Sequence, residues 1–148
     1  MLALVPAAFL VLVALAALAI NSAAAYQSQQ QLHDVLSAAA TNAVTAGLSN
    51  DRFYAGGQLT LDPNAVAVAV CRTVDAQALA GFHQLNLAVA MTATSVRVTG
   101  AATIDSVFGR SVPGVGTQGI RSTADATLTT GPRAGGAAFG PVTPISCS

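Results

Sequence analysis

The first twenty residues, MLALVPAAFLVLVALAALAI, contain no polar side chain. Asn21 and Ser22 interrupt the run, and Ala23, Ala24 and Ala25 resume it. A hydrocarbon layer of about 30 Å takes about 20 helical residues at ~1.5 Å each, so this stretch fits one membrane span. Lipid offers no partner to backbone amides, which forces the helical conformation. Pro6 removes one donor close to the start, where a helix tolerates the loss. From Tyr26, an aromatic placed where the interface favours one, the pattern stays helical. Leu32, Val35, Leu36, Ala39, Ala43 and Ala46 recur at steps of three and four, while Gln27, Gln30, His33, Asp34, Ser37 and Thr41 take the other faces. Gly47, followed by Ser49, Asn50 and Asp51, supplies a stop. The pattern therefore predicts one helix of about 45 residues and roughly 70 Å, first a span over 1–25 and then a spine over 26–47.

Beyond the spine the periods change. Residues 58–61 read as a short strand. Asp62-Pro63 reads as an N-cap with proline at the first helical position, opening a second helix to about Leu79 with Val66, Val70 and Val74 along one side and Gly81 as its end. Strict alternation follows. Leu85, Leu87, Val89 and Met91 point one way and Asn86, Ala88 and Ala90 the other. After Thr92-Ala93-Thr94-Ser95, a link of hairpin length without the Asn-Gly signature, Val96, Val98, Ala102 and Ile104 turn inward. Ser95, Arg97, Thr99 and Thr103 turn outward. A long Gly-rich connection over 105–118 leads to a third strand with Ile120, Ala124, Ala126 and Leu128 inward and Arg121, Thr123, Asp125 and Thr127 outward. The fold class expected is α+β: a long N-terminal transmembrane and amphipathic helix, a second helix, and a three-stranded antiparallel sheet with four strands as the alternative. The domain occupies 26–130. Residues 131–148 hold four glycines and three prolines with little periodicity, and read as a loose tail.

Composition narrows the function classes. Only 8% of the chain is charged, the six acidic residues are all Asp and the six basic ones all Arg, and the net charge is zero. With no basic cluster, nucleic acid is not expected as a partner. So few charges favour a membrane or a neighbouring subunit as surroundings. Histidines number two, His33 and His83, and neither has a ligand set or triad companion in the sequence. Gly114-Val115-Gly116 has no helix signal after it and is no phosphate loop. Accordingly no catalytic, metal or cofactor-binding residue is assigned, no small-molecule substrate is expected, and the chain is expected not to be an enzyme.

Two features invite pairing. Cys71 and Cys147 would form one disulfide in an oxidising compartment, tying the tail to the second helix; the alternative is a small buried residue and a free thiol. Ala14, Ala17, Asn21 and Ala24, with Ala25 beside it, approximate the spacing that lets helices approach closely in lipid. The span is read as a retained anchor, since no Lys or Arg precedes the apolar run and the run is long for a signal sequence. The other reading is a secreted binding or adhesion module released by cleavage after Ala25, with Arg97, Thr99, Thr103, Thr123, Asp125 and Thr127 as its outer surface. Charge does not orient the span, because the first Arg is Arg52.

Residues 10–46 resemble the TadE/TadG-like proteins of tight-adherence (Flp) pilus systems. The residues concerned are Ala19-Ile20-Asn21, Tyr26, Gln29-Gln30-Gln31-Leu32 and Ser37-Ala38-Ala39-Ala40, followed by the strands over 85–128. Asn21 stands where that family often has Asp. The resemblance implies a single-pass, pilin-like minor subunit or assembly component, its helix in membrane lipid, its C-terminal domain exported to the cell surface or periplasmic side, and other pilus or assembly subunits as partners.

Overall fold

The computed structural model describes residues 4–49, 54, 60–77, 79–106, 116–128 and 138–147. Helix α1, Leu4–Ala46, is continuous over 43 residues, about 65 Å. It passes through Asn21 and Ser22 unbroken. The serine hydroxyls are satisfied within the helix itself: Ser22 Oγ donates to Leu18 O at 2.9 Å, and Ser28 Oγ to Ala24 O at 3.1 Å. The stop comes at Gly47, whose N–H bonds Ala43 O at 2.8 Å. A Cβ at Gly47 would lie 2.5 Å from both Ala43 O and Val66 Cγ2. Only glycine lets the chain turn this close to the second helix.

Helix α2, Pro63–Ala76, starts at Asp62, whose carboxylate accepts from the N–H groups of Asn64 (2.7 Å) and Ala65 (3.2 Å). It ends at Ala76 with Gln77 as its C-cap, short of the Leu79 expected. Val66, Ala69, Val70 and Val74 are buried along one side. Of the strand predicted over 58–61, Leu61 makes a single antiparallel bridge with Leu48, Thr60 is not in a strand, and 58 and 59 lie outside the described residues.

Four antiparallel strands follow: β1 Phe82–Met91, β2 Ser95–Asp105, β3 Thr117–Thr127 and β4 Thr143–Ile145, in the spatial order β3-β2-β1-β4. Val96, Val98, Gly100, Ala102 and Ile104 of β2 are buried in strict alternation, as the period-2 pattern dictates. β1 begins three residues before the alternation does, because a bulge between His83 and Asn86 breaks the period. Gln84 sits there at φ 52°, a left-handed conformation uncommon for a side-chain-bearing residue. The β1–β2 turn closes without Asn-Gly because Thr92 takes over: its Oγ1 accepts from Thr94 N (3.2 Å) and Ser95 N (2.8 Å).

Both helices serve one core. α1 packs on β2 and β3 and beside α2. Leu32, Leu36, Ala39, Ala40 and Ala43 of α1 meet Val66 and Val70 of α2 and Val89, Val96 and Val98 of the sheet in a single cluster. Helix and sheet approach closely at Gly100, where an added Cβ would stand 3.0 Å from Leu36 Cδ1 and 3.5 Å from Leu32 Cδ1.

The segment 138–147 is not a loose tail. β4 pairs with Leu87, Ala88 and Val89 of β1, Gly140 N donates to Met91 O at 3.0 Å, and the Phe139 ring lies 4.0 Å from the Arg97 guanidinium carbon. Cys147 is disulfide-bonded to Cys71 of α2 across 76 positions. Closing a loop of that length restricts the unfolded chain by about 4 kcal/mol on the entropic account.

Candidate functional site: the bare half of helix α1

The two halves of α1 differ in what surrounds them. Phe9, Leu10, Leu12 and Leu18 are 65–68% exposed, and Val11, Val13, Leu15 and Ile20 are exposed as well. None of the described residues buries them. Leu32 and Leu36, in contrast, are 0% exposed. The bare half is apolar on every side, since it contains no polar side chain to define a second face. Among the described residues this is the one helix long and apolar enough to cross a membrane, and none of its apolar window is buried within the molecule. A helix that is hydrophobic all round requires an apolar environment on all sides.

The junction between the halves is polar and specific. Asn21 is half-buried, and its Oδ1 accepts a 2.8 Å hydrogen bond from Ser106 Oγ, just after β2. Ser106 is buried, so the pair settles two polar groups at once. Ser106 N also donates to Gly116 O at 3.2 Å. Five positions on, Tyr26 is 63% exposed and its hydroxyl accepts from Gln30 Nε2 at 3.0 Å.

The small-residue stripe predicted for helix packing runs along the side of α1 that faces the domain. Ala14 and Leu32 are eighteen positions apart, about five turns, and point the same way. Ala14 is exposed, Ala17 and Ala24 are half-buried, and Ala25 packs against the core. Asn21 has its partner within its own chain, in Ser106. Sequence periodicity marked Asn21 for its position but carried no sign of Ser106, which follows a strand some eighty residues later.

Elsewhere the polar groups are arranged as surface pairs. His33 Nδ1 lies 3.2 Å from Ser122 Oγ, and His83 Nε2 lies 3.4 Å from Asp105 Oδ2; Ser122 is half-buried and the other three residues are exposed. Neither histidine has both a nucleophile and an orienting acid within hydrogen-bond reach among these contacts, and neither pair lies in an enclosed cavity. On the outer sheet face Arg97 donates to both Asp125 oxygens, at 2.7 and 2.8 Å. These charge-assisted bonds hold the Asp125 carboxyl below its usual range. Among the described residues no three His, Cys, Asp or Glu side chains converge as metal ligands would. Comparison of the chain with protein-family models, with curated proteins and with solved structures found no match.

Proposed function

We propose that this chain is a membrane-anchored, non-enzymatic, pilin-like minor subunit or assembly component of a Flp/Tad-type pilus or secretion apparatus. The observation that carries the reading is the continuity of α1. One helix is apolar and bare over its first half and forms the spine of an α+β domain over its second. A rigid helix shared between lipid and domain transmits the position of one to the other, which suits a subunit placed in an assembly better than a module on a flexible stalk. The TadE/TadG-like resemblance of residues 10–46 supplies the choice of system.

Release by cleavage after Ala25 fits the contacts less well. It would remove Asn21, leaving the buried Ser106 hydroxyl without its acceptor, and would strip Ala25 from the edge of the core.

The test uses the protein in its native membrane. N-terminal sequencing is expected to find residues 1–25 retained. A photocrosslinker at exposed Leu15 is expected to trap other single-span subunits. A mature chain starting near Tyr26 overturns the anchor, and adducts with lipid alone overturn the assembly role.

A further inference from the structure

The domain has no stalk between it and the span, and the contacts of two strands agree on where its lower end lies. Gly100 sits against the Leu32–Leu36 turn of α1, and Ser106 is bonded to Asn21. From Gly100 to Ser106, β2 advances about 20 Å at ~3.3 Å per residue. From the middle of the Leu32–Leu36 turn down to Asn21, α1 also covers about 20 Å at ~1.5 Å per residue. Strand and helix therefore run nearly side by side. On β3, Arg121 O accepts from Gln29 Nε2 at 3.4 Å, and Ser122 contacts His33. Descending from Arg121 to Thr117 covers about 13 Å. The same drop from Gln29 along α1 ends at Ile20. By both measures the sheet ends level with Ile20 and Asn21, where the uninterrupted apolar run also ends.

We infer that this end of the domain, carrying His83, Asp105, Thr117 and Gln118, rests in the lipid headgroup layer of the membrane that holds α1. The inference rests on α1 being a membrane anchor. All four residues are exposed, and their polar side chains keep the hydrocarbon boundary at or below Asn21, since charged or amide groups are costly deeper in. The headgroup layer is about 5–7 Å thick on each side. It takes in the sheet end, and Tyr26, about 8 Å above Asn21 along α1, lies just beyond its outer edge. The chemistry fits neutral, zwitterionic headgroups. His83 and Asp105 lie together at 3.4 Å, with no cluster of basic side chains among the described residues here to select anionic lipid.

The chain contains no tryptophan, so single reporters give an unambiguous test in the full-length protein reconstituted in phosphatidylcholine vesicles. Leu12→Trp reports the span, Gln118→Trp the lower end, and Ala93→Trp the β1–β2 turn, about 33 Å farther along β2. Thr117→Trp replaces Gln118→Trp should that variant fail to fold. A headgroup nitroxide lipid is expected to quench Gln118→Trp at least threefold more than Ala93→Trp, with Leu12→Trp quenched by acyl-chain bromines. Equal quenching of the two domain reporters, with Leu12→Trp quenched by bromines, overturns the headgroup contact while leaving the anchor standing. An unquenched Leu12→Trp overturns both.

Discussion

The two halves of α1 are joined without a break, yet they are held by different means. The upper half is amphipathic, and its buried residues recur at the helical period because one face meets a sheet and a second helix. The lower half has no period to speak of, and none of its apolar window is buried within the molecule. Hydrophobic side chains are common to both. What separates them is whether the polar residues between the apolar ones define a side that must stay wet. Where Gln27, Gln30, His33, Asp34, Ser37 and Thr41 occupy the remaining faces, the helix folds onto its own domain. Where nothing polar occurs for twenty residues, it has to find its apolar surroundings outside the chain.

The contrast breaks most visibly under truncation. Leu36→Ala removes a fully buried side chain wedged against Gly100 and is expected to cost about 2–5 kcal/mol. That lowers the Tm of the detergent-solubilised protein by roughly 10–30 °C in calorimetry. Leu10→Ala, the same change in the bare half, is expected to leave Tm within about 2 °C, as exposed substitutions do. Equal losses at the two positions would show the lower half to be packed by its own chain.

A charge reverses the ranking. Leu12→Arg near the middle of the span is expected to raise the cost of membrane insertion by about 3 kcal/mol while leaving the thermal transition of the domain where it was. The readout is the fraction of protein retained in membranes after alkaline extraction. Retention equal to that of the native chain would mean that the lower half does not lie in lipid.

A smaller effect is expected at the junction. Ser106→Ala deletes the donor to Asn21 and should destabilise the domain by about 1 kcal/mol, the usual net worth of such a bond. Ser22→Ala, one position along α1 from Asn21, removes a hydroxyl that bonds only its own helix turn, and chemical denaturation is expected to detect no change. A matching loss in both variants would assign the effect to the loss of a hydroxyl as such rather than to the tie between helix and sheet.

Most of the layer architecture was legible in the sequence because burial imposes a period on each element: 3.6 on the spine and on α2, two on β1, β2 and β3. What escaped has physical reasons. The start of β1 is hidden by the bulge at His83 to Asn86, which breaks alternation where the strand begins. β4 is three residues long, too short to show a period, and lies among glycines and prolines that favour turns. Its place at the sheet edge comes from Cys147 and from Gly140 and Phe139 contacting the strands beside it. The hairpin at Thr92 works through a side-chain hydroxyl instead of a glycine. As for the candidate site, the apolar run was plain from composition. The Asn21–Ser106 bond was not, since a contact between residues so far apart leaves no local signature.

The outer sheet face sharpens the comparison further, because it is exposed like the lower half of α1 but dressed for water. Arg97 and Asp125 pair across β2 and β3, with Phe139 over the guanidinium, and Thr99 and Thr123 lie hydroxyl to hydroxyl at 3.2 Å. Asp125→Asn is expected to give the smallest effect of the four, since exposed ion pairs contribute little. Its pH dependence has a definite sign. The carboxyl is held below its ordinary range in the folded chain, chiefly by the Arg97 hydrogen bonds. The stability it adds is therefore present above about pH 4 and is lost as the pH falls through the folded pKa. Native protein and Asp125→Asn should differ slightly in Tm at neutral pH and converge under acid, as a pH series of calorimetric scans would show. A gap that stayed constant to pH 2 would place the effect in packing against Phe139 rather than in charge. The face would then be a covered surface like the upper half of α1, not a solvated one.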